Sequence, residues 1–237
     1  MAEQRQPQVQ GTAALQPQYT YTPAVEEIEP LIPNTNPGYL ITKRIFDIVF
    51  SMLALIVTSP ISLITAIAIK IEDPTGSIIY KQIRIGKNGV PFSFYKFRSM
   101  IANADKLQEK LQKNYDPNSP FYKIKGDPRI TKVGRFIRKY SIDELPQFLN
   151  VIRGQMSIVG PRPLQPHEAE DIPGYLDQRQ KVVPGLTCFW QVDERSDGIA
   201  PSRIQNDLRY IRNQSFAVDI GLVIRTVPAV FSGKGAA

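Results

Sequence analysis

Two adjacent carboxylates, Asp143 and Glu144, stand where the sequence predicts the start of a helix. Pro146 is tolerated in a helix only within the first turn, so the acids before it must lie at or beside the helix N-terminus. Exposed N–H groups and the helix dipole make such a terminus a phosphate site, and a carboxylate aimed into it can act as a nucleophile. The alternative is simple capping, because Ser141 and Glu144 match a capping box, and a carboxylate engaged in its own cap attacks poorly.

Basic side chains flank this acid pair along the chain. Arg138 belongs to a basic amphipathic stretch before the pair, and Arg162 follows it inside a Gly-Pro-Arg-Pro turn. The two prolines lower the entropy lost when the guanidinium of Arg162 binds phosphate, although an ordinary surface turn is the alternative. Lys96 and Arg98 end a strand-like run and could hold phosphate oxygens, or they could simply protect a solvated edge strand from aggregation.

The elements that must position these residues form a helix-rich α/β pattern. Residues 77–98 predict a β-hairpin, with apolar runs on both sides of the preferred turn pair Asn88-Gly89. Helical spacing predicts one helix within 127–141 and another that begins at the acid pair. It also predicts two helices between 201 and 231. The last two are amphipathic enough to lie in a membrane interface, with packing into an ordinary core as the alternative.

The longest apolar segment, residues 45–71, carries charges only near its ends. As a straight helix it would be roughly 40 Å long, enough for a hydrocarbon core of about 30 Å. Pro60 in its middle predicts a kink, and Ser59 can hydrogen-bond a carbonyl one turn back. Basic residues flank both ends of the segment, which suits a re-entrant hairpin with both ends in the cytoplasm. A helix that spans the membrane is the alternative. A buried core helix fits least, because such cores seldom use so long an apolar run.

Composition narrows the classes of partner and cofactor. The 237 residues allow one ordinary domain with appendages, and a net charge of +7 suits an anionic partner or, alternatively, an inert basic surface. A single cysteine, Cys188, fits a reducing compartment, and a single histidine argues against Cys/His zinc sites and Ser-His-Asp triads. A metal ion would be a hard one held by carboxylates, with Mg²⁺ the first candidate. Asp219, in an apolar run, needs an arginine or a metal ion as partner.

The sequence resembles the small monotopic phosphoglycosyl transferases, bacterial sugar transferases that start exopolysaccharide, capsule or related glycan assembly. The resemblance covers about 43–231 and rests on KRIFD at 43–47, Ser59-Pro60, QIRIGKNG at 82–89, FYKFRSM at 94–100, DPRITKVGRFIRKYSIDELPQFLNVIRGQMSIVGPRP at 127–163, and PGLT at 184–187 with Gln191 and Arg195. Cys188 and Glu194 stand where this family commonly has glycine, a departure that bears on donor preference. Cys188 itself is either a small buried filler or a reactive thiol, and the filler is favoured.

The resemblance implies a reaction. A sugar-1-phosphate would pass from a nucleotide sugar, usually a UDP-sugar, to a polyprenyl phosphate such as undecaprenyl phosphate. It implies that Asp143 is the nucleophile, that it forms a covalent phosphosugar intermediate, that Glu144 is its dyad partner, and that Mg²⁺ is required. Asp143 and Asp219 are the candidate metal ligands. The family's other active-site positions fall on Lys96, Arg138, Arg162 and Arg195.

These inferences predict a layout and a location. We expect a disordered tail over 1–37 that is not a signal peptide, a re-entrant membrane helix over 38–73 broken at Ser-Pro, and a cytoplasmic catalytic domain over 74–237. The expected site is the cytoplasmic face of the bacterial inner membrane. Nucleotide sugar, polyprenyl phosphate and membrane lipid are the expected partners, and a homo-oligomer is left open.

Two other functional classes compete with the enzyme. One is a catalytically impaired, membrane-attached scaffold with the same fold, in which Cys188 and Glu194 would be signs of decay. The other is a basic nucleic-acid binder, which lacks aromatic-basic interleaving and any recognisable motif. We therefore expect no nucleic acid among the partners.

Overall fold

The structure is a computed structural model that describes residues 30–104, 106–107, 127–166, 175–193 and 200–232. The helices and strands, in chain order, are α1 (Pro37–Glu72), β1 (Ile79–Ile85), β2 (Pro91–Phe97), α2 (Lys132–Lys139), a 3₁₀ helix (Ile142–Gln147), α3 (Phe148–Ile152), β3 (Ser157–Val159), α4 (Tyr175–Arg179), β4 (Gly185–Thr187), α5 (Phe189–Asp193), α6 (Ala200–Arg212) and α7 (Phe216–Ser232). This is the helix-rich α/β architecture that the sequence predicts.

The first helix, α1, begins at an asparagine cap and continues through a proline. The Asn36 side chain accepts from the N–H of Gly38 at 2.8 Å, which satisfies one of the free donors at the helix start. Pro60 cannot donate to the carbonyl of Ile56, four residues earlier. The Ser59 hydroxyl donates to that same carbonyl at 2.8 Å.

The faces of α1 are the reverse of those in a soluble core helix. Its buried positions include the polar residues Lys43, Asp47 and Ser51, which follow one another at one-turn spacing. Its exposed side chains are mostly large and apolar, among them Val49, Met52, Leu53, Ile56, Val57, Ile61, Leu63, Ile64 and Ile67. Only 11% of its most apolar stretch is buried, which excludes a buried core helix. Within the described ranges, α1 alone has the length and composition to cross a membrane.

The predicted hairpin is confirmed, and a second pair of strands lies beyond it. Strands β1 and β2 pair antiparallel from Ile79 opposite Phe97 to Ile85 opposite Pro91. Asn88 and Gly89 both take positive φ in the turn, as the asparagine-glycine pair predicts. The short strands β3 and β4 pair in parallel. They approach so closely that a Cβ on Gly185 would lie 2.1 Å from the nitrogen of Gly160.

The core lies between the hairpin, the β3–β4 pair and the C-terminal helices. It is built from the buried side chains of Phe92, Phe94, Val151, Met156, Ile158, Val159, Cys188, Phe189, Trp190, Tyr210 and Leu222. Helix α6 buries Leu208, Tyr210 and Ile211, so the alternative of core packing holds for this helix. Helix α7 buries Leu222 but exposes Ile224 and Val227, so it keeps an outward apolar side.

The residues just before α1 pack against the body of the protein. Leu31 is buried among Val182, Leu208 and Ile211. Its N–H donates to the Gln178 side chain at 2.8 Å. The end of the segment that the sequence assigns to a tail therefore contacts α6 and the end of α4. Residues 1–29 of that segment lie outside the described residues.

Candidate active site

The acid pair lies in the 3₁₀ helix rather than in a capped α-helix. Ser141, just before this helix, has a φ of 55° and its side chain makes no capping hydrogen bond. The backbone N–H of Glu144 instead donates to the Ser141 carbonyl at 3.1 Å. The capping box suggested by the sequence is therefore wrong, and Asp143 is not engaged in its own helix cap.

Two cations from distant parts of the chain meet the acid pair. Lys96 of β2 lies 2.8 Å from Glu144 Oε1 and 3.5 Å from Asp143 Oδ2. Arg162, in the turn after β3, donates to the same Glu144 oxygen at 3.0 Å. Glu144 thus bridges Lys96 and Arg162, whereas Asp143 has, among the residues that the structure describes, only the longer contact with Lys96.

Arg138 brings a third positive charge to the site. It stands in the last turn of α2, and its Nε donates to the Ser99 hydroxyl at 2.8 Å. Burial raises the pKa of the Asp143 carboxyl, and the charge of Arg138 partly offsets that rise. The structure therefore brings together five residues that the sequence selects: Lys96, Arg138, Asp143, Glu144 and Arg162.

The two carboxyls of the pair have oppositely shifted pKa values. Burial raises the pKa of Asp143; Lys96 opposes this shift, and the neighbouring charge of Glu144 adds to it. Burial also works against ionisation of Glu144, but Arg162 and Lys96 outweigh it and hold the Glu144 pKa well below its usual range. Glu144 therefore keeps a fixed negative charge, while Asp143 is a poorly solvated, more basic carboxylate. Such a separation of pKa values is typical of groups with different chemical tasks.

Arg98 is not placed with Lys96 at the acid pair. Its guanidinium donates to the Asp73 carboxylate at 2.9 Å and to the Asp73 carbonyl at 2.5 Å. Asp73 follows the last residue of α1, so Arg98 ties that helix to the end of the hairpin. The sequence made both cations candidates for phosphate binding, and the structure gives them different partners, Glu144 for Lys96 and Asp73 for Arg98.

Asp219 belongs to a second polar cluster. Its carboxylate accepts from Lys43 at 3.0 Å, from Tyr39 at 3.0 Å and from Tyr210 at 2.8 Å. Lys43 also donates to the Val159 carbonyl at 3.0 Å. The predicted need for a partner is met by one lysine and two tyrosines.

The polar stripe of α1 was not selected from the residues alone. Asp47, one turn after Lys43, accepts from the Ser157 hydroxyl at 3.0 Å and from the Ile158 N–H at 2.9 Å. It fixes α1 against β3, the strand that leads into the Arg162 turn. The available signal was the pair of charges one helical turn apart in an otherwise apolar segment.

The carboxylates of the acid pair suit Mg²⁺ better than Asp219 does. Mg²⁺ binds through one or two carboxylates together with waters and substrate phosphates. Asp143 has a carboxylate with one long cationic contact, whereas Asp219 is already surrounded by three donors. No group of three or more His, Cys, Asp or Glu side chains that could hold an ion occurs among the residues that are described. The residues present therefore fit an ion held by Asp143 and completed by the substrate.

The later positions are only partly described. Arg195 and Glu194 lie outside the described residues. Cys188 is completely buried at the start of α5, and burial, followed by the charge of Asp207, raises the pKa of its thiol. A buried, protonated thiol is a poor nucleophile, so Cys188 acts as a small packing residue.

Comparison with known proteins places this site in a family. The sequence model of the bacterial sugar transferase family matches residues 38–233. The chain belongs to the bacterial sugar transferase family. The resemblance found in the sequence is thereby confirmed, and with it the class of enzyme, a phosphoglycosyl transferase.

Several relatives of this sugar transferase have been named. It is 43% identical over 199 residues to the exopolysaccharide production protein ExoY of Sinorhizobium fredii, covering 82% of this chain and 88% of that protein. It is 41% identical to the undecaprenyl-phosphate galactose phosphotransferase of Salmonella typhimurium, covering 82% of this chain and 41% of the relative. It is 40% identical to the UDP-glucose:undecaprenyl-phosphate glucose-1-phosphate transferase of Escherichia coli, with the same coverage. The chain thus spans less than half the length of the last two proteins.

Proposed function

We propose that this sugar transferase moves a sugar-1-phosphate from a UDP-sugar to undecaprenyl phosphate and so starts the assembly of an exopolysaccharide. The observation that carries the proposal is the buried Asp143 carboxylate, uncapped and within reach of Lys96 while Glu144 holds Arg162. The names of the relatives supply the substrate classes, since they act with undecaprenyl phosphate and with galactose or glucose donors.

The first step is attack of Asp143 on the donor. A carboxylate oxygen forms a bond to the phosphorus that carries the sugar, the bond from that phosphorus to the UMP oxygen breaks, and UMP leaves with the electron pair. Asp143 suits this role because its raised pKa makes it the more basic carboxylate of the pair. Glu144 is held by two cations and remains a spectator charge that keeps them in position.

The second step regenerates the free Asp143 carboxylate. A phosphate oxygen of the lipid attacks the same phosphorus, the bond to Asp143 breaks, and the lipid leaves as a diphosphate-linked sugar. Each step brings two anions together, and the charges of Lys96, Arg138 and Arg162 offset that repulsion. Mg²⁺ bound by Asp143 would supply further neutralisation of the donor's diphosphate. Because the two substrates use the site in turn, a soluble donor and a membrane lipid can share it.

The same proposal includes a re-entrant α1 with the catalytic body at the cytoplasmic face. Support comes from both ends of the 36-residue helix, which contact one folded body. Lys43 near its start pairs with Asp219 of α7, and Glu72 at its end accepts from the Lys132 N–H at 2.7 Å. The ends of a spanning helix would be separated by a hydrocarbon core of about 30 Å.

Cysteine labelling tests this topology. The variant Gln10→Cys, and separately Lys87→Cys, would be treated in intact cells with a thiol reagent that does not cross the membrane. Because the native Cys188 is buried, it contributes little background. Both positions should be protected until the cells are opened. Labelling of residue 10 from outside would exclude a re-entrant helix.

Product analysis tests the reaction. Purified enzyme with Mg²⁺ and each common UDP-sugar should release UMP and gain the mass of a phosphosugar on Asp143. Asp143→Asn should abolish both, whereas Asp177→Asn, at an exposed carboxylate of α4, should change neither. A folded wild-type protein that makes neither product with any donor would favour the scaffold function instead.

A further inference from the structure

The turn that carries Arg162 is anchored in an unusual way. Residues 161–164 read Pro-Arg-Pro-Leu, so two of the four residues have no N–H to donate. A segment of this kind must be fixed mainly through its carbonyl oxygens. All four carbonyls accept hydrogen bonds from other parts of the chain. The donors are Gly185 N–H to Pro161, Arg179 to Arg162, Arg84 to Pro163 and Ile85 N–H to Leu164.

Two of these donors are backbone groups and two are buried guanidiniums. Arg84 donates to the Pro163 carbonyl at 3.1 Å, and Arg179 donates to the carbonyl of Arg162 itself. Both arginine side chains are largely shielded from solvent. Only the Arg179 contact acts on the residue whose side chain holds Glu144.

The position of Arg179 is set by a buried carboxylate. Its Nε donates to Asp207 Oδ2 at 2.8 Å, and both side chains are almost completely buried. Asp207 stands on α6, and the thiol of Cys188 packs beside it. A guanidinium has a planar set of donors, so one group can bind the carboxylate and the carbonyl at the same time. A chain of contacts therefore runs from α6 through Arg179 to the backbone of Arg162.

We propose that Arg179, oriented by Asp207, is a positioning residue that fixes the guanidinium of Arg162 over the acid pair. The inference rests on the function proposed above and adds a residue that acts through the backbone of Arg162. The Arg162 side chain meets Glu144 at 3.0 Å, a distance that a backbone shift of about one ångström would break. When that contact loosens, the positive charge of Arg162 moves away from both Glu144 and Asp143, and it stabilises the ionised form of each carboxyl less.

The variant Arg179→Lys tests the proposal because lysine keeps the charge but has no planar fork. A matched control exists in Arg129→Lys. Arg129 is similarly buried, binds the Asp127 carboxylate at 2.6 Å and donates to a backbone carbonyl, that of Ala104, at 3.5 Å. Both variants should lower the unfolding midpoint by a similar amount. Only Arg179→Lys should lower kcat/KM, by roughly 10-fold or more, as loss of an outer positioning group typically does.

A pH profile separates positioning from general destabilisation. With Arg162 loosened, both carboxyls ionise less readily, so the acid limb of kcat/KM against pH should move to higher pH in Arg179→Lys and stay in place in Arg129→Lys. The variant Asp207→Asn keeps the size of the side chain, and it should move the acid limb of kcat/KM to higher pH as well. It replaces Arg179→Lys in this test if that variant does not fold. If kcat/KM and the acid limb of Arg179→Lys match those of the Arg129→Lys control, the positioning role is overturned.

Failure of the proposed reaction would be visible separately, as absence of turnover by the wild-type protein. The positioning role can still be measured then, because UDP binding by calorimetry involves no chemistry and reports on the phosphate contact expected of Arg162. Arg179→Lys should weaken UDP about 10-fold relative to the Arg129→Lys control, in line with an outer contact to a phosphate ligand. Equal affinities in the two variants would overturn the proposal.

Discussion

Two buried aspartates in this sugar transferase differ in the number and distance of the donors around them. Asp143 and Asp219 are both shielded from solvent, at 5% and 0% exposure. Asp219 accepts from three donors within 3.0 Å, whereas Lys96, the nearest cation to Asp143 within the described part of the chain, is 3.5 Å away, and its neighbour Glu144 repels it. Burial by itself therefore does not mark a reactive carboxylate. The number and distance of the donors around it do.

The two clusters have different consequences for the fold. At Asp219 the ion pair with Lys43 joins α1 to α7, and the two tyrosines satisfy the remaining lone pairs. Removing a carboxylate so surrounded would strand its buried partner, and its lone pairs are already taken by the protein, so it has little left to offer a substrate. At Asp143 the ionised form is disfavoured by burial, which opposes folding but preserves reactivity.

The largest expected effect is that of Asp143→Asn on activity. Loss of the attacking oxygen should lower turnover by at least about 10³-fold, as removal of a nucleophile does in other enzymes. The same change should leave the unfolding midpoint at neutral pH unchanged or higher. Turnover would be followed by UMP release and stability by thermal unfolding in mild detergent. A clear loss of stability would contradict the view that this carboxylate opposes folding.

The pH dependence of that stability difference follows from the raised Asp143 pKa. Since the folded pKa lies above the unfolded value, the favourable contribution of the protonated group is complete below the unfolded pKa and is lost as the pH rises through the folded pKa. The advantage of Asp143→Asn over wild type should therefore grow from acidic to neutral pH. A constant difference across this range would contradict the raised pKa.

The next largest effect is that of Asp219→Asn on stability. Removing this charge leaves the Lys43 ammonium buried without its anion, which should cost about 3–5 kcal/mol. Turnover per folded molecule should fall far less than in Asp143→Asn. Chemical denaturation and UMP release of the same sample would give both quantities. If stability is unaffected, the contrast between the two aspartates fails.

A double variant separates the lost ion pair from the stranded charge. Lys43→Met together with Asp219→Asn removes both charges while keeping much of the volume. It should be more stable than Asp219→Asn alone, because the main penalty comes from an unpaired buried cation. Equal or lower stability of the double variant would show that the pair contributes directly.

Glu144→Gln should shift the pH dependence of the reaction. Its removal takes away the negative neighbour that helps to raise the Asp143 pKa, and it releases Lys96 and Arg162 to face Asp143. The acid limb of kcat/KM should therefore move to lower pH, even if the maximal rate falls. A shift to higher pH would mean that Glu144, and not Asp143, is the group that must ionise.

The smallest expected effect is that of Tyr39→Phe. It removes one of the three donors on Asp219 and leaves Lys43 and Tyr210 in place. The cost should be about 1.5 kcal/mol, as for a single hydrogen bond to a charged group. Activity should be retained. The loss in free energy of unfolding would show how much of the stabilisation of Asp219 comes from Tyr39. A loss as large as that of Asp219→Asn would mean that Tyr39 holds the cluster alone.

Three predictions that rested on neighbours in the chain agree with the structure, and one does not. The turn at Asn88-Gly89, the early helical position of Pro146 and the bond from Ser59 to the Ile56 carbonyl all depend on residues within one or two turns of each other. The capping box at Ser141 is the exception, because that residue has a left-handed backbone instead of the extended one of an N-cap, and its side chain makes no capping hydrogen bond. Tertiary packing can override a local motif at a single residue.

The sequence by itself determined the family, the acid pair with its basic neighbours, the hairpin and the apolar helix. Each of these depends on the types of residues that lie close together in the chain. Only the tertiary structure decided which cations reach the acids. Lys96 and Arg98 stand two residues apart, yet one meets Glu144 and the other meets Asp73. Lys43 and Asp219 are 176 residues apart and form one ion pair. Contacts between distant residues depend on how helices and strands pack together, and local spacing does not contain that information.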